Sequence, residues 1–302
     1  MKKSYLNNIM ESLKIILKTI TWFIALFVLL LVIHVTRRIF IADTFRIPTQ
    51  SMIPTLLPGD KVICDKLTYG ARIYTSFDFS EHAPLCSFRM PGVRKIRPGD
   101  VIVFNFPFGY DDWYKIEFKI NYVYCKRVVG CPGDRIGILD GHCWNDRILR
   151  PIGLVEKQEE LRFMYDSLLI WSDNWDAIPR STHRWNVKNM GPLTVPSKGI
   201  SVGLDTFTAE LYRQVIEYET GEQLECDTAS CGGIQLGGKQ VEQYTFQQDW
   251  YFALGDNSFD SQDSRYWGFI PDDFIIGVVR RVLFSKDLQN GRFRWDRTLK
   301  RI

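Results

Sequence analysis

Tyr122-Val123-Tyr124-Cys125-Lys126-Arg127-Val128-Val129 is a run of β-branched and aromatic residues with two adjacent cations inside it. Such side chains suit the pleated, half-buried surface of a sheet, so the run predicts a strand. Alternation across a strand puts Tyr122, Tyr124, Lys126 and Val128 on one face and Cys125, Arg127 and Val129 on the other. Lys126 then projects among aromatic and aliphatic neighbours, while Arg127 points away, free to bind a carboxylate elsewhere.

The same writing recurs on both sides of this run. Lys61-Val62-Ile63-Cys64-Asp65-Lys66, Val101-Ile102-Val103-Phe104-Asn105-Phe106, Trp250-Tyr251-Phe252-Ala253-Leu254 and residues 277–284 all read as strands. Pro58-Gly59-Asp60, Pro98-Gly99-Asp100 and Pro132-Gly133-Asp134 punctuate them as recurrent turns, with no flanking repeat. Residues 139–244 are polar, Trp-dotted and irregular. They hold one helical pattern, capped by Asp205, with Phe207, Leu211 and Val215 at four-residue spacing on one face. The expected fold is mainly β: a β-sheet catalytic core over residues 37–138 and 245–302, interrupted by an inserted, irregular α+β second domain at 139–244. Near the end, Phe293-Arg294-Trp295-Asp296-Arg297 alternates aromatic and charged residues, as an edge strand or a membrane-facing surface does.

Residues 19–36 contain no Asp, Glu, Lys or Arg. At about 1.5 Å per residue they span about 27 Å, close to the roughly 30 Å of a bilayer's hydrocarbon core. Ile15, Ile16 and Leu17 extend the apolar stretch below Lys18, whose ammonium can snorkel. The stretch ends in His34-Val35-Thr36-Arg37-Arg38 without a small-x-small site, so a retained transmembrane helix is expected and not a cleaved leader. Lys2, Lys3, Lys14 and Lys18 before it outnumber Arg37 and Arg38 after it, which favours residues 1–18 as a short cytoplasmic segment.

The 302 residues, 45% hydrophobic, are enough for one or two domains with a large core. A formal net charge of +3 is too small to imply nucleic acid as a partner. Seven cysteines without a Cys-x-x-Cys spacing, and scattered His34, His82, His142 and His183, argue against a disulfide scaffold and a structural zinc.

Ser51 sits in Ile47-Pro48-Thr49-Gln50-Ser51-Met52-Ile53-Pro54-Thr55-Leu56, between two prolines that bias their preceding residues toward extended conformations. A stiff loop of this kind can fix a hydroxyl and aim backbone N–H groups at a developing oxyanion. A serine is a poor nucleophile until a base takes its proton. No histidine accompanies it, but a lysine amine can act as that base once an apolar setting lowers its pKa from about 10.4. Ser51 and Lys126 behind a membrane span therefore point to an anchored serine–lysine protease.

A third segment, Gly255-Asp256-Asn257-Ser258-Phe259-Asp260-Ser261-Gln262-Asp263-Ser264-Arg265-Tyr266-Trp267-Gly268, completes a pattern. Ser-Met-x-Pro-Thr-Leu, Lys-Arg-Val-x-Gly-x-Pro-Gly-Asp, then Gly-Asp-Asn with Ser-x-Asp-Ser-Arg and Tyr-Trp-Gly resemble the successive boxes of bacterial type I signal peptidases (leader peptidases). The resemblance covers the membrane anchor and residues 44–66, 97–106, 122–136 and 250–284, in family order. It implies Ser51 as nucleophile and Lys126 as general base. It further implies Ser261 as the hydroxyl that orients the lysine amine, and Thr49 as a side-chain donor joining the Ser51 N–H in the oxyanion hole. Arg127, Asp256, Asp263 and Arg265 are implied as structural support, with Asp263 and Arg265 spaced for an ion pair. The implied activity is removal of amino-terminal signal peptides from exported preproteins by a membrane-bound serine endopeptidase, with small residues at the first and third positions before the cut. The implied setting is the bacterial cytoplasmic (inner) membrane, crossed once, amino terminus inside and catalytic domain extracytoplasmic. Partners are preproteins and the lipid bilayer, with no nucleic acid, no metal and no organic cofactor.

Residues 74–95 and 139–244 carry no motif of that family. An anchored binding protein without activity fits poorly with an intact Ser51 and Lys126, and a self-cleaving repressor fits poorly with the membrane span. Some signal peptidases carry a short-loop disulfide in the second domain, and Cys226 and Cys231, five apart, are similarly placed; their spacing leaves a bridge or two free thiols open.

Overall fold

The runs of β-branched and aromatic residues form one antiparallel sheet. The computed structural model describes residues 2–78, 80, 84–109, 115–164, 185–227 and 233–302. Its main strands are β1 (Ala42–Arg46), β2 (Asp60–Asp65), β3 (Val101–Asn105), β4 (Val123–Gly130), β5 (Trp250–Leu254), β6 (Ile270–Pro271) and β7 (Ile275–Ser285). They lie in the order β1-β2-β7-β3-β4-β5-β6, so β7 returns from the end of the chain to part β2 from β3. β3 is buried on both faces. Ile102 and Phe104 join a cluster with Val128, Phe252, Trp267 and Phe274, while Val101 and Val103 join another with Ile47, Met52, Leu56 and Val62. A strand covered on both sides needs no polar alternation, which is why this one reads as an unbroken apolar run.

The three Pro-Gly-Asp turns share one construction. The aspartate carboxylate accepts from the N–H three residues back: Leu57 to Asp60, Arg97 to Asp100 and Cys131 to Asp134, each at 2.9 Å. The aspartate's own N–H returns to that residue's carbonyl at 3.0 Å. The glycines have φ of 95°, 98° and 78°, in the left-handed region that favours glycine.

At the amino end, α1 (Lys2–Thr36) continues through a wider turn, Arg37–Ile41, directly into β1. Leu13–Ile41 is long and apolar enough to cross a membrane. This is longer than the 19–36 stretch expected, because Lys14 and Lys18 interrupt it without ending it and the apolar Ile39, Phe40 and Ile41 follow the arginine pair.

After β4 the chain leaves the main sheet earlier than residue 139. Arg135–Leu139 pairs with His142–Asn145 across Asp140-Gly141, whose φ of 50° and 84° suit a tight hairpin, and with Met190–Thr194 on its other side. Among the described residues two helices follow in this stretch, α2 (Val155–Phe163) and α3 (Thr206–Thr220). Asp205 caps α3: its carboxylate accepts from Thr208 N–H at 2.7 Å, and Gly221 ends the helix at φ 71°. The buried face is Ala209, Leu211, Tyr212, Val215 and Ile216. Phe207, expected on that face, stays at the rim against Trp185. Tyr212 stacks on Phe269, and Tyr218 meets Trp250 and Phe274, so the inserted stretch shares its core with the main sheet. The Cys226–Cys231 pairing involves a residue outside those described.

Candidate active site

Ser51 lies in a loop closed at its base by two backbone bonds, Ile47 N–H to Asp60 O at 2.9 Å and Gly59 N–H to Ile47 O at 2.8 Å. Met52 and Leu56 are buried in the core beneath it, and Leu56 N–H donates to Met52 O at 2.8 Å. Burying these apolar neighbours leaves the Ser51 hydroxyl on the groove side. Two remote arginines grip the loop. Arg297 donates to both Asp60 oxygens at 3.0 and 2.5 Å and to Thr55 O at 2.9 Å. Arg127 Nη2 reaches Thr55 Oγ1 at 3.4 Å. Asn257 holds it from above, its N–H donating to Ser51 O at 3.1 Å and its Nδ2 to Gln50 O at 3.2 Å.

Lys126, on β4, is only 3% exposed. Its Nζ donates to Ser51 Oγ at 2.6 Å and lies 5.6 Å from the centre of the Tyr124 ring. Burial pushes the ammonium down to about 8; the Asp263 carboxylate pulls the other way, and Arg265 adds to the lowering. Thr49 Oγ1 stands 3.4 Å from Ser51 Oγ.

The Gly255–Gly268 segment packs over the pair. A Cβ on Gly255 would stand 2.0 Å from Ser261 Oγ and 2.5 Å from Ser51 O, so only glycine lets the two serine-bearing segments close together here. Ser261 is buried beside the pair, but its hydroxyl has no hydrogen-bond partner among the described residues, and no bond joins it to Lys126. Asp263 is fully buried, accepting from Gly255 N–H at 2.9 Å and from Arg265 Nε and Nη2 at 2.8 and 2.7 Å. Burial raises its carboxyl, yet the Arg265 charge and hydrogen bonds outweigh that and hold it below the usual carboxylate range. Arg127 makes a two-pronged pair with buried Asp256 at 2.6 Å on each side and donates to Gly99 O at 2.7 Å. Removing one partner of such a buried pair costs about 3–5 kcal/mol; Arg127–Asp256 links β4 to the Gly255–Gly268 segment, and Asp263–Arg265 lies within that segment.

The pair opens on a groove of about 820 Å³. One wall is β1 and the Ser51 loop, the other is residues 121–126, with Asp260 and Gln262 at the rim. Three strands separate β1 from β4 in the sheet, so the sheet must curl to bring them face to face. Among the described residues the outer edge of β1 is unpaired, and it borders this groove. Cys125 lines it too, but burial pushes its thiol up to about 12, so it stays protonated and unreactive at neutral pH.

A family model described as signal peptidase, peptidase S26, matches residues 19–284. The chain belongs to this family. Signal peptidase I of Buchnera aphidicola subsp. Baizongia pistaciae is 29% identical over 263 residues, covering 85% of this chain and 74% of the relative. That of Rickettsia massiliae is 30% identical over 261 residues, covering 86% and 77%. That of Pseudomonas aeruginosa is 26% identical over 258 residues, covering 82% and 66%. As a member of the signal peptidase family, the chain is a serine endopeptidase that removes signal peptides.

All eight site residues read from the sequence gather at this groove or directly behind it. Three contributors were missed. Asn257 stood inside the quoted Gly-Asp-Asn and could have been found from that motif. Asp60 was read only as a turn residue, and nothing local to Arg297 announces a partner so distant in sequence.

Proposed function

We propose that Ser51 is the nucleophile and Lys126 the general base of this signal peptidase. The observation that carries the reading is the 2.6 Å contact between Ser51 Oγ and a lysine amine that burial brings within reach of neutrality. The neutral amine takes the hydroxyl proton as Oγ attacks the scissile carbonyl, and passes it to the departing amine of the mature protein as the ester acyl-enzyme forms. The regenerated amine then activates the water that hydrolyses the ester. The Thr49 hydroxyl and the Ser51 N–H donate to the oxyanion, and the Ser261 hydroxyl, which has no hydrogen-bond partner among the described residues, turns to orient the amine. Arg127–Asp256 and Asp263–Arg265 brace the loops without touching the reacting atoms. The free edge of β1 supports binding of the preprotein as an added strand, with small residues at the first and third positions before the cut.

The same reading puts the protein across the bacterial cytoplasmic membrane once, with residues 1–18 inside, 19–36 spanning, and the catalytic parts 37–138 and 245–302 outside together with the inserted 139–244. The apolar stretch within Leu13–Ile41 supports the span, and the lysine excess before residue 19 supports this orientation. Processing of a model preprotein in detergent tests the chemistry. Ser51→Ala and Lys126→Ala should each stay folded and lose turnover, and substantial cleavage by either would end the dyad assignment. Protease added to spheroplasts should degrade the large domain; its survival until lysis would reverse the orientation.

A further inference from the structure

Three charged side chains line the groove in front of Ser51, and they differ in status. Lys126 is buried and bonded to Ser51. Arg46, at the end of β1, and Asp260, at the rim, are exposed. Among the described residues neither of these two side chains has an ion pair or a hydrogen bond, and Asp260 is the one carboxylate that lines the groove. A charge so placed, with no structural partner to satisfy, is available to whatever occupies the groove.

The backbone that carries Asp260 is tied to the nucleophile loop. Asn257 N–H donates to Ser51 O at 3.1 Å and Asn257 Nδ2 to Gln50 O at 3.2 Å, and Asp260 N–H closes a turn back onto Asn257 O at 3.0 Å. The next residue, Ser261, is buried where a Cβ on Gly255 would meet both its Oγ and Ser51 O. A short side chain on a backbone held at both ends stays at the Ser51 end of the groove. The rim around it is polar but uncharged, made by Gln50 and Gln262. A preprotein added as a strand to β1 lays its residues before the cut between β1 and residues 121–126, and its chain after the cut leaves past Ser51. At about 3.4 Å per extended residue, the first two residues of the mature protein lie within roughly 7 Å of the scissile bond. Screening over such a distance is incomplete, because the Debye length is about 8 Å at physiological salt.

We propose that Asp260 is a specificity-determining residue that reads charge just after the cut, favouring preproteins whose mature part carries a cation at its first or second position over those with an acid there. This preference rests on the reading of Ser51 as nucleophile and of β1 as the strand that receives the substrate. An exposed ion pair contributes little, so the effect is modest: about two- to fivefold in kcat/KM for lysine over glutamine, and a similar loss from glutamine to glutamate.

The test is cleavage of a model preprotein carrying Lys, Gln or Glu at the first or second position after the cut, or at the second position before it. Substrates compete in one tube, so the readout is a ratio within each enzyme and is indifferent to its overall activity. Wild type should rank Lys above Gln above Glu after the cut, and the ranking should shrink at about 1 M salt, where the Debye length falls to about 3 Å. Asp260→Asn should bring the Lys-to-Glu ratio close to one, Asp260→Lys should invert it, and Arg46→Gln should keep the wild-type ratio. A wild-type ranking retained by both Asp260 variants overturns the inference. An equal change in Arg46→Gln also overturns it, since the ranking would then belong to the overall field of the groove. A ranking that responds to Asp260 only for the charge before the cut overturns it too, by placing the carboxylate over the signal peptide. Ser51→Ala separates this failure from that of the reading beneath it: cleavage by Ser51→Ala removes the nucleophile, whereas an inactive Ser51→Ala beside an Asp260→Asn with wild-type ranking removes this inference alone.

Discussion

Raising the pH from 7 to 9 should speed acylation about tenfold and then bring it to a plateau. The magnitude comes from the setting of Lys126, whose ammonium falls from an ordinary 10.5 to about 8 because it is buried. An amine titrating near 8 is about 9% neutral at pH 7 and about 90% neutral at pH 9. Only the neutral form can take the Ser51 proton, so the rate follows that fraction. A lysine with its ordinary value would pass from about 0.03% to about 3% neutral over the same window, a rise of about a hundredfold with no plateau. The assay is single-turnover cleavage of a model preprotein in detergent with enzyme in excess, so that chemistry and not product release is observed. A hundredfold climb continuing past pH 9 would refute the desolvated amine. A flat profile would refute lysine as the base altogether.

The same burial has a consequence for stability. Between pH 8 and 10.5 the unfolded lysine holds more protons than the folded one, so stability rises with pH through that window and is lower by about 3 kcal/mol beneath it. Lys126→Met, though inactive, should therefore unfold at higher denaturant than wild type at pH 7, with the gap closing toward pH 10.5; equal midpoints at pH 7 would mean that the amine is solvated. Arg265→Gln leaves the Asp263 carboxylate facing Lys126 without its counter-charge, so the rising limb of the folded variant's pH–rate profile should move to higher pH; an unmoved limb would show that the pair does not tune the base. Thr49→Val should lower kcat about a hundredfold with little change in KM, as loss of one oxyanion donor does, and Thr49→Ser should retain most activity; a Thr49→Val enzyme of normal kcat would remove Thr49 from the oxyanion hole.

The strands were legible because even β3, buried on both faces, is written in residues that disfavour helix, and because glycine and aspartate mark the turns between them. Their order was not. That β7 separates β2 from β3 depends on pairings such as Val279 with Cys64, between residues more than half the chain apart, and no local pattern records such a choice. Of the α3 stripe, Leu211 and Val215 are buried as expected while Phe207 is not, because the buried face centres on Tyr212 and Ile216, and packing of Tyr212 on Phe269 sets that centre. At the site, the meeting of Ser51 and Lys126 was legible because a serine–lysine pair restricts residue type and motif spacing located both. The Asp60–Arg297 grip was not legible, because an arginine in an exposed-looking tail reads the same whether it meets water or a buried carboxylate. The missing bond from Ser261 to Lys126 was equally invisible, since a motif names a hydroxyl without stating its direction.

If Ser51 is the nucleophile proposed above, the substrate is cut through an ester on its Oγ. Mixing the enzyme with preprotein, quenching in acid within the first turnover and mapping peptides by mass spectrometry tests it most directly. A signal-peptide adduct is expected on the peptide carrying Ser51, absent from Ser51→Ala, and accumulating more slowly at pH 7 than at pH 9. Cleavage that proceeds at full rate with no adduct on that peptide, or with the adduct on another residue, would contradict it.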